Sequence, residues 1–512
     1  MTVLANLAAV GALVGVTIVG LRLGDEPKSA SAPRLEPQSA ERGTSRRVQQ
    51  LGEELRNSTS GTHPIVLSYH DVQPLESIRG DSSYPVAAHE FADQMAVLRA
   101  AGYQSIGVDD FLAYLDGEPV PDRSVMITFD DNPNGLWTQA DKILEREGLR
   151  GVVYVITSSV DTSSYYLDWN EIREMYDSGR WEFQSHSDDL HQRRPLTPDG
   201  PDVAPLANPL WLTDSDRPET LEEWRTRVHD DLERSIRALS RHDLPRPELF
   251  AYPFSELATE DGARPTVPVD AVSGLLNDFF SASMINDPEA TPVLPDDPRS
   301  EIPRIEVLRT TTLDEFVTTL RSAQPDPDAA PRPLTKPGLW SQGSLDPDVV
   351  AFEDDTVALD PDVGGFAQID LAKRLPEWAD HDFAVTVDGL SRPKVTDGTH
   401  TVEASVRVHA GSADQITIEV EYGDLAVYHD GDLQFRRNLG TASSIRVAAR
   451  PSSGSTSILV NDKPVGSVDT APHPPGGVAL TMRRGDKATQ PAPVFSGLTI
   501  GRSADGAGQD GS

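Results

Sequence analysis

Val125-Met-Ile-Thr-Phe-Asp-Asp131 is a strand-forming run that ends in two adjacent carboxylates, and the turn-forming Asn132-Pro-Asn-Gly135 follows at once. Side chains on a strand alternate faces, so Asp130 and Asp131 cannot share a cavity in mid-strand. At a strand end, where the backbone turns, both can face one site. One carboxylate can then hold a metal ion while its neighbour accepts a proton from water. A lone Asp-Asp pair is more often a polar strand terminus or a helix cap. The reading therefore needs a second element.

Trp181-Glu-Phe-Gln-Ser-His186-Ser-Asp-Asp-Leu-His191 supplies it. An apolar strand again runs into a polar loop, here with two histidines. On a helix their spacing would splay them by about 140°; on a loop they can converge. Two imidazoles and one carboxylate, with open positions left for water, make a three-ligand catalytic site of the kind zinc or a related divalent ion uses. Zinc is the first expectation for the cofactor, with cobalt, nickel and iron as alternatives.

These stretches resemble the polysaccharide deacetylases, also called NodB-homology or carbohydrate esterase family four proteins, over residues 64–320. Thr128-Phe-Asp-Asp131 is similar to the family's first motif, which implies Asp130 as general base and Asp131 as metal ligand. Ser185-His-Ser-Asp-Asp-Leu-His191 is similar to the second, which implies His186 and His191 as the other ligands. Its histidine spacing and Asp-Leu-His ending resemble the branch that deacetylates poly-β-1,6-N-acetylglucosamine in biofilms. Phe250-Ala-Tyr-Pro-Phe254 is similar to the third motif, a groove wall. That likeness implies a catalytic backbone N–H at Tyr252 and substrate contacts from Pro253 and Phe254.

Family members usually take their acid from a late Leu-x-His, but no histidine lies between His242 and His381. In the biofilm branch the motif order is circularly permuted, and Tyr69-His70 resembles the supplier of that acid. On residues alone, His70 reads as a strand-end histidine bonded to backbone. The resemblance implies His70 as general acid, with the first strand beside the last. Arg304, in Pro303-Arg-Ile-Glu306, resembles a substrate-groove position, with a surface salt bridge as the alternative. Two positions depart from the family pattern: Asn132 and Ser255 stand where glycine is usual.

The 512 residues allow two or three domains. A formal net charge of −36 argues against nucleic acid or an anionic membrane surface as partner. An acidic groove would suit a product that gains amines. With no cysteine, disulfides and thiolate metal sites are excluded.

Residues 1–23 read as an N-terminal membrane anchor or signal, because 2–21 are uncharged and apolar over about the length that crosses a bilayer. Ala30-Ser-Ala32 resembles a cleavage site but lies well past the apolar run, so an uncleaved anchor is favoured. Basic residues follow the segment, which by the positive-inside preference would leave the remainder in the cytoplasm. The extracellular substrate implied by the resemblance outweighs this. The expected location is extracytoplasmic and anchored, with secretion as the alternative.

Residues 24–62 read as a flexible linker with a short helix near 46–55. Strands at 64–69, 125–129, 152–156, 249–252, 279–283 and 302–307 alternate with helical patterns around 91–98, 111–115, 141–147, 169–178 and 221–242. This predicts parallel β/α units and, with the resemblance, a distorted (β/α) barrel over 63–322. Residues 190–218 predict a long loop over the groove. A Pro/Asp-rich linker is expected at 323–337.

Residues 338–503 show alternating strands at 383–387, 402–408, 415–422, 425–429, 444–448 and 457–460. They predict an all-β sandwich or jelly roll similar to concanavalin-like domains. It reads equally as a glycan-binding module or as a packing domain. Residues 504–512 read as a disordered tail.

The function implied is metal-dependent N-deacetylation of an extracellular N-acetylated polysaccharide, either poly-β-1,6-N-acetylglucosamine or a chitin-like or peptidoglycan glycan. A glycoside hydrolase fits poorly, since its two carboxylates stand about 5–9.5 Å apart across the scissile bond. A non-catalytic glycan-binding protein is the other rival. Oligomeric state is left open.

Overall fold

Ile65–Tyr69 (β1) buries both of its faces. Ile65, Leu67 and Tyr69 point to the surrounding helices while Val66 points inward, the period-two alternation of a strand. Six more buried parallel strands behave alike: Ser124–Phe129 (β2), Gly151–Val155 (β3), Trp181–Ser185 (β4), Leu249–Ala251 (β5), Ala282–Asn286 (β6) and Ile302–Glu306 (β7). A computed structural model describes residues 46–257, 267–286, 291–342, 347–393 and 400–502. Each strand pairs with the next in sequence, and β1 pairs on one side with β2 (Ile65 opposite Val125) and on the other with β7 (Leu67 opposite Ile305). The ring is closed. Its first strand does lie beside its last.

Two apolar layers hold the ring. The interior is filled by Val66, Met126, Val152, Tyr154, Leu249, Met284 and Ile302. Outside, Leu67, Phe129, Val153 and Trp181 pack under helices, and each large side chain so buried is worth ~1.5–3 kcal/mol. The helices are Arg46–Arg56 (α1), Ala88–Ala101 (α2), Val108–Leu115 (α3), Asp141–Glu147 (α4), Trp169–Asp177 (α5), Leu221–Arg241 (α6), Val269–Asn277 (α7) and Leu313–Ala323 (α8). Gly102 stops α2 in the left-handed conformation, φ 90°.

Several boundaries differ from the sequence reading. The helix inside the expected tether is α1, and its Val48, Leu51 and Leu55 are buried in the barrel's outer core, so that part of 24–62 is packed rather than flexible. The strand expected at 279–283 begins three residues later. Phe279 and Phe280 lie in the turn that follows α7, where their N–H groups donate to the Leu276 carbonyl. The stretch 323–337 is also packed: Ala330 and Leu334 enter the second core, and the Trp378 indole N–H donates to the Pro325 carbonyl at 2.9 Å. The expected anchor and the tail beyond 502 lie outside the described residues. Among the described residues no helix is long and apolar enough to cross a membrane.

The C-terminal part is a β-sandwich of a seven-stranded and a six-stranded antiparallel sheet around one apolar core. His381–Asp388 shows why: its residues alternate buried and half-buried along the whole strand. The six expected strands are present. His409 is buried and pairs through Nε2 with Thr456 Oγ1 at 3.1 Å.

Candidate active site

The site forms at the C-terminal ends of β1, β2, β4, β5 and β7, where parallel β/α barrels place their chemistry. β2 stops at Phe129, and Asp130 still donates its N–H to the Tyr69 carbonyl at 2.9 Å. Asp131 and Asn132 then take φ of 68° and 43°, a left-handed reversal uncommon outside glycine but favoured by Asp and Asn among the rest. This turn brings both carboxylates to one cavity. Ser187, Phe254 and Ser255 repeat the device with φ of 72°, 62° and 55°. Such strain gathers where function fixes geometry.

Asn132 and Ser255 thus hold the backbone shape that glycine would adopt more cheaply. Their side chains compensate. Asn132 Oδ1 accepts the Ile156 N–H at 2.9 Å and its Nδ2 donates to Ser159 Oγ at 3.1 Å. Ser255 Oγ accepts the Asn286 N–H at 2.6 Å. Both departures are accounted for without intrusion into the cavity.

Asp131, His186 and His191 offer ligand atoms all within 4.8 Å of one another. Asp131 Oδ1 stands 3.5 Å from His186 Nε2 and 3.3 Å from His191 Nε2. That oxygen is buried with no hydrogen-bond partner, which a cation would supply. His186 Nδ1 lies 2.8 Å from the Ala251 carbonyl, which can only accept, so Nδ1 carries the proton and Nε2 is left to ligate. The residues fit a divalent metal ion.

Burial opposes ionisation of Asp131, but the His191 and His186 rings hold its carboxyl well below the ordinary value. Burial likewise depresses His186, yet the Asp131 and Asp130 carboxylates outweigh it and raise the imidazole. His191 is lowered, first by burial. A ligand imidazole must be neutral. Metal uptake should therefore expel more protons at about pH 6 than at about pH 9, as read by indicator dye in weak buffer. Equal release at both would mean that His186 is already neutral.

Asp130 is 3% exposed and bound at both oxygens by Arg304, Nη1 to Oδ1 at 2.7 Å and Nη2 to Oδ2 at 2.8 Å. Arg304 is itself 1% exposed. It is neither a groove residue nor part of a surface salt bridge: it acts on the carboxylate, not on substrate. Burial pushes the Asp130 carboxyl up, and the guanidinium with His186 and His70 more than offsets this, so the group lies below its ordinary value.

Tyr252 also departs from expectation. Its N–H donates to the Met284 carbonyl at 3.1 Å and its hydroxyl to the Ser300 carbonyl at 2.9 Å, so it has no donor left for a ligand. Pro253 is buried and opens the short turn Pro253–Ser255 rather than touching the cavity. Phe254 does face it, with its ring 4.4 Å from that of His191 and capped by Arg193 at 4.3 Å. His70 packs against Tyr84, ring centroids 4.2 Å apart, with Nδ1 buried and unpartnered. Sequence reasoning missed Tyr84, Arg193 and Glu306, which sit in loops or at a strand end without periodic signal; Arg193 alone was within reach, two residues beyond a ligand.

Residues 117–262 match the family model described as polysaccharide deacetylase. That stretch of the chain is similar to polysaccharide deacetylases. The matched stretch holds Asp130, Asp131, His186, His191 and Phe254, while His70 and Arg304 fall outside it. Among curated proteins, the chain is similar to the poly-β-1,6-N-acetyl-D-glucosamine N-deacetylase of Escherichia coli K12. Identity is 26% over 207 residues, 38% of this chain and 30% of that protein's length. The Staphylococcus aureus N315 protein of the same name is 24% identical over 229 residues, 42% of this chain and 71% of that one. Among solved structures, a de-N-acetylase from Aggregatibacter actinomycetemcomitans aligns at TM-score 0.43 and 18% identity, covering 50% of this chain and 99% of that chain. IcaB from Ammonifex degensii aligns at TM-score 0.38 and 21% identity, covering 51% and 98%.

Proposed function

We propose that the chain is a metal-dependent N-deacetylase of N-acetylglucosamine units in an extracellular polysaccharide, with poly-β-1,6-linked chains as the first candidate. One observation carries the reading. A buried, arginine-locked carboxylate stands next to an Asp-His-His cluster, with His70 near enough to act on the charge of both aspartates. The printed names of the curated relatives support the substrate class. Residues 1–23 would hold the enzyme outside the cytoplasm as a membrane anchor.

A divalent ion, zinc first, held by Asp131, His186 and His191 would supply Lewis acidity and make water acidic enough to react near neutrality. Asp130, ionised because Arg304 stabilises its charge, takes a proton from the attacking water. The water oxygen bonds to the acetyl carbon. The oxyanion donor we assign is the Phe254 N–H, which has no protein acceptor among the described residues and belongs to a residue whose ring packs on that of His191. His70 protonates the amine nitrogen as the C–N bond breaks, giving acetate and glucosamine. Glycosidase chemistry is disfavoured, since Asp131 faces two histidines and Asp130 an arginine rather than a glycosidic bond.

Mass spectrometry of β-1,6 and β-1,4 N-acetylglucosamine oligomers incubated with protein that retains α1 tests the reading. The expected result is loss of acetyl groups with zinc or cobalt and none with chelator. Intact oligomers in every arm would leave a binding protein.

A further inference from the structure

Asp131 and His186 are fixed by their immediate surroundings. Asp131 follows the end of β2, and His186 Nδ1 is held to the Ala251 carbonyl at 2.8 Å. His191 is placed differently. It lies at the far end of the loop 187–190, and its ring packs on that of Phe254 with centroids 4.4 Å apart. The path of that loop decides where the ring stands.

The loop hangs on one side chain of α6. Asp231 Oδ1 accepts the Asp188 N–H and Oδ2 the Asp189 N–H, each at 2.9 Å. Two adjacent N–H groups aimed at one carboxylate make a socket for an anion, and Asp231 fills it while only 1% exposed. Ser187, at φ 72°, begins the turn that presents them. Arg234, one helical turn on, donates Nη2 to Asp231 Oδ2 at 2.9 Å and Nε to Asp188 Oδ2 at 2.8 Å. From β3's end, Thr157 Oγ1 donates to Asp188 Oδ1 at 2.8 Å. Bonds in which one partner is charged are about twice as strong as neutral ones. Asp231 is not in the cluster of ligand atoms, so it reaches the site only through the loop.

We propose that Asp231 is a positioning residue of the metal site. Its clasp on Asp188 and Asp189 holds His191 where it can share one ion with Asp131 and His186. This rests on the reading of those three residues as metal ligands. Groups that orient a ligand in this way carry about 10–100-fold in metal affinity. Helix α6 thus governs the site without contributing a ligand to it.

Zinc affinity of the full chain, read by equilibrium dialysis up to millimolar zinc, tests this in a double-mutant cycle. Asp231→Asn should bind zinc about 10–100-fold more weakly than the parent, because the amide NH2 then faces one of the two N–H groups. His191→Ala keeps Asp131 and His186, and adding Asp231→Asn to it should cost nothing further. Leu239 is fully buried in the barrel's outer core, farther along the same helix. Leu239→Ala should lower the melting temperature and leave zinc affinity unchanged. Arg234→Gln, at a half-exposed position, should weaken zinc about threefold and decides the matter if Asp231→Asn does not fold. Unchanged affinity in a folded Asp231→Asn, or in Arg234→Gln where that variant stands in, overturns the proposal. So does an equal loss in the His191→Ala background, or a loss in Leu239→Ala as large as that in Asp231→Asn. A folded parent that takes up no zinc is a separate outcome, and it removes the ligand reading together with the positioning built on it.

Discussion

Asp130→Asn binds metal as the parent does and releases acetate at least about 100-fold more slowly. The amide cannot take a proton from water, whereas Asp131, His186 and His191 are untouched. The substitution has a second effect that must be measured beside the first. Arg304 is fully buried and loses its counter-charge, and one of its N–H groups then meets the amide's NH2 rather than an oxygen. Breaking a buried pair costs about 3–5 kcal/mol. Urea unfolding should show that loss while metal titration at permissive temperature stays normal. A stable, metal-loaded variant with undiminished turnover would remove Asp130 from the base role.

Arg304→Met moves the same pair from the other side. Without the guanidinium, burial dominates and the Asp130 carboxyl rises instead of falling. The base is then protonated over more of the acidic range, so the acid limb of the kcat/KM profile shifts to higher pH. Stability changes in sign as well as size. In the parent, the depressed carboxyl contributes stability above its unfolded value near ~4, lost as pH falls through the folded value. In Arg304→Met the raised carboxyl destabilises at neutral pH by about 3–5 kcal/mol, and that penalty relaxes as pH falls. Unfolding at several pH values and a pH–rate profile read both effects. An unmoved acid limb would mean that Arg304 does not set the ionisation of the catalytic group.

The elements legible in the sequence were those whose chemistry follows from local spacing. Asp131, His186 and His191 sit where strand composition stops and turn residues begin, and a strand end is the one place where such side chains converge. Arg304 was misplaced because its partner lies far away in sequence, and nothing local separates a buried guanidinium from a groove-lining one. Tyr252 was misassigned for a related reason: whether a backbone N–H is free depends on the neighbouring strand, here Met284. Three of the sandwich strands that the sequence reading missed follow the same logic. Phe366–Leu375 carries a bulge, with Ala372 at φ 65°, that interrupts its alternation. Asp432–Asn438 is an edge strand with almost every residue exposed, and Gly476–Arg484 is buried on both faces along most of its length. None of the three keeps a period-two alternation of burial along its whole length.

The pairing of β1 with β7 ties chemistry to folding. His70 leaves the first strand of the ring, Asp130 the second and Arg304 the last, so the proposed proton donor, the proposed base and the arginine that holds it meet only when the circle closes. Contacts between residues so distant in sequence form late, after the loop entropy between them is lost. A partly folded chain can gather the metal ligands, which β2 and β4 bring together, yet still lack a competent base. Metal capture and turnover should therefore appear at different moments during refolding, and the enzyme has no active state short of the completed ring.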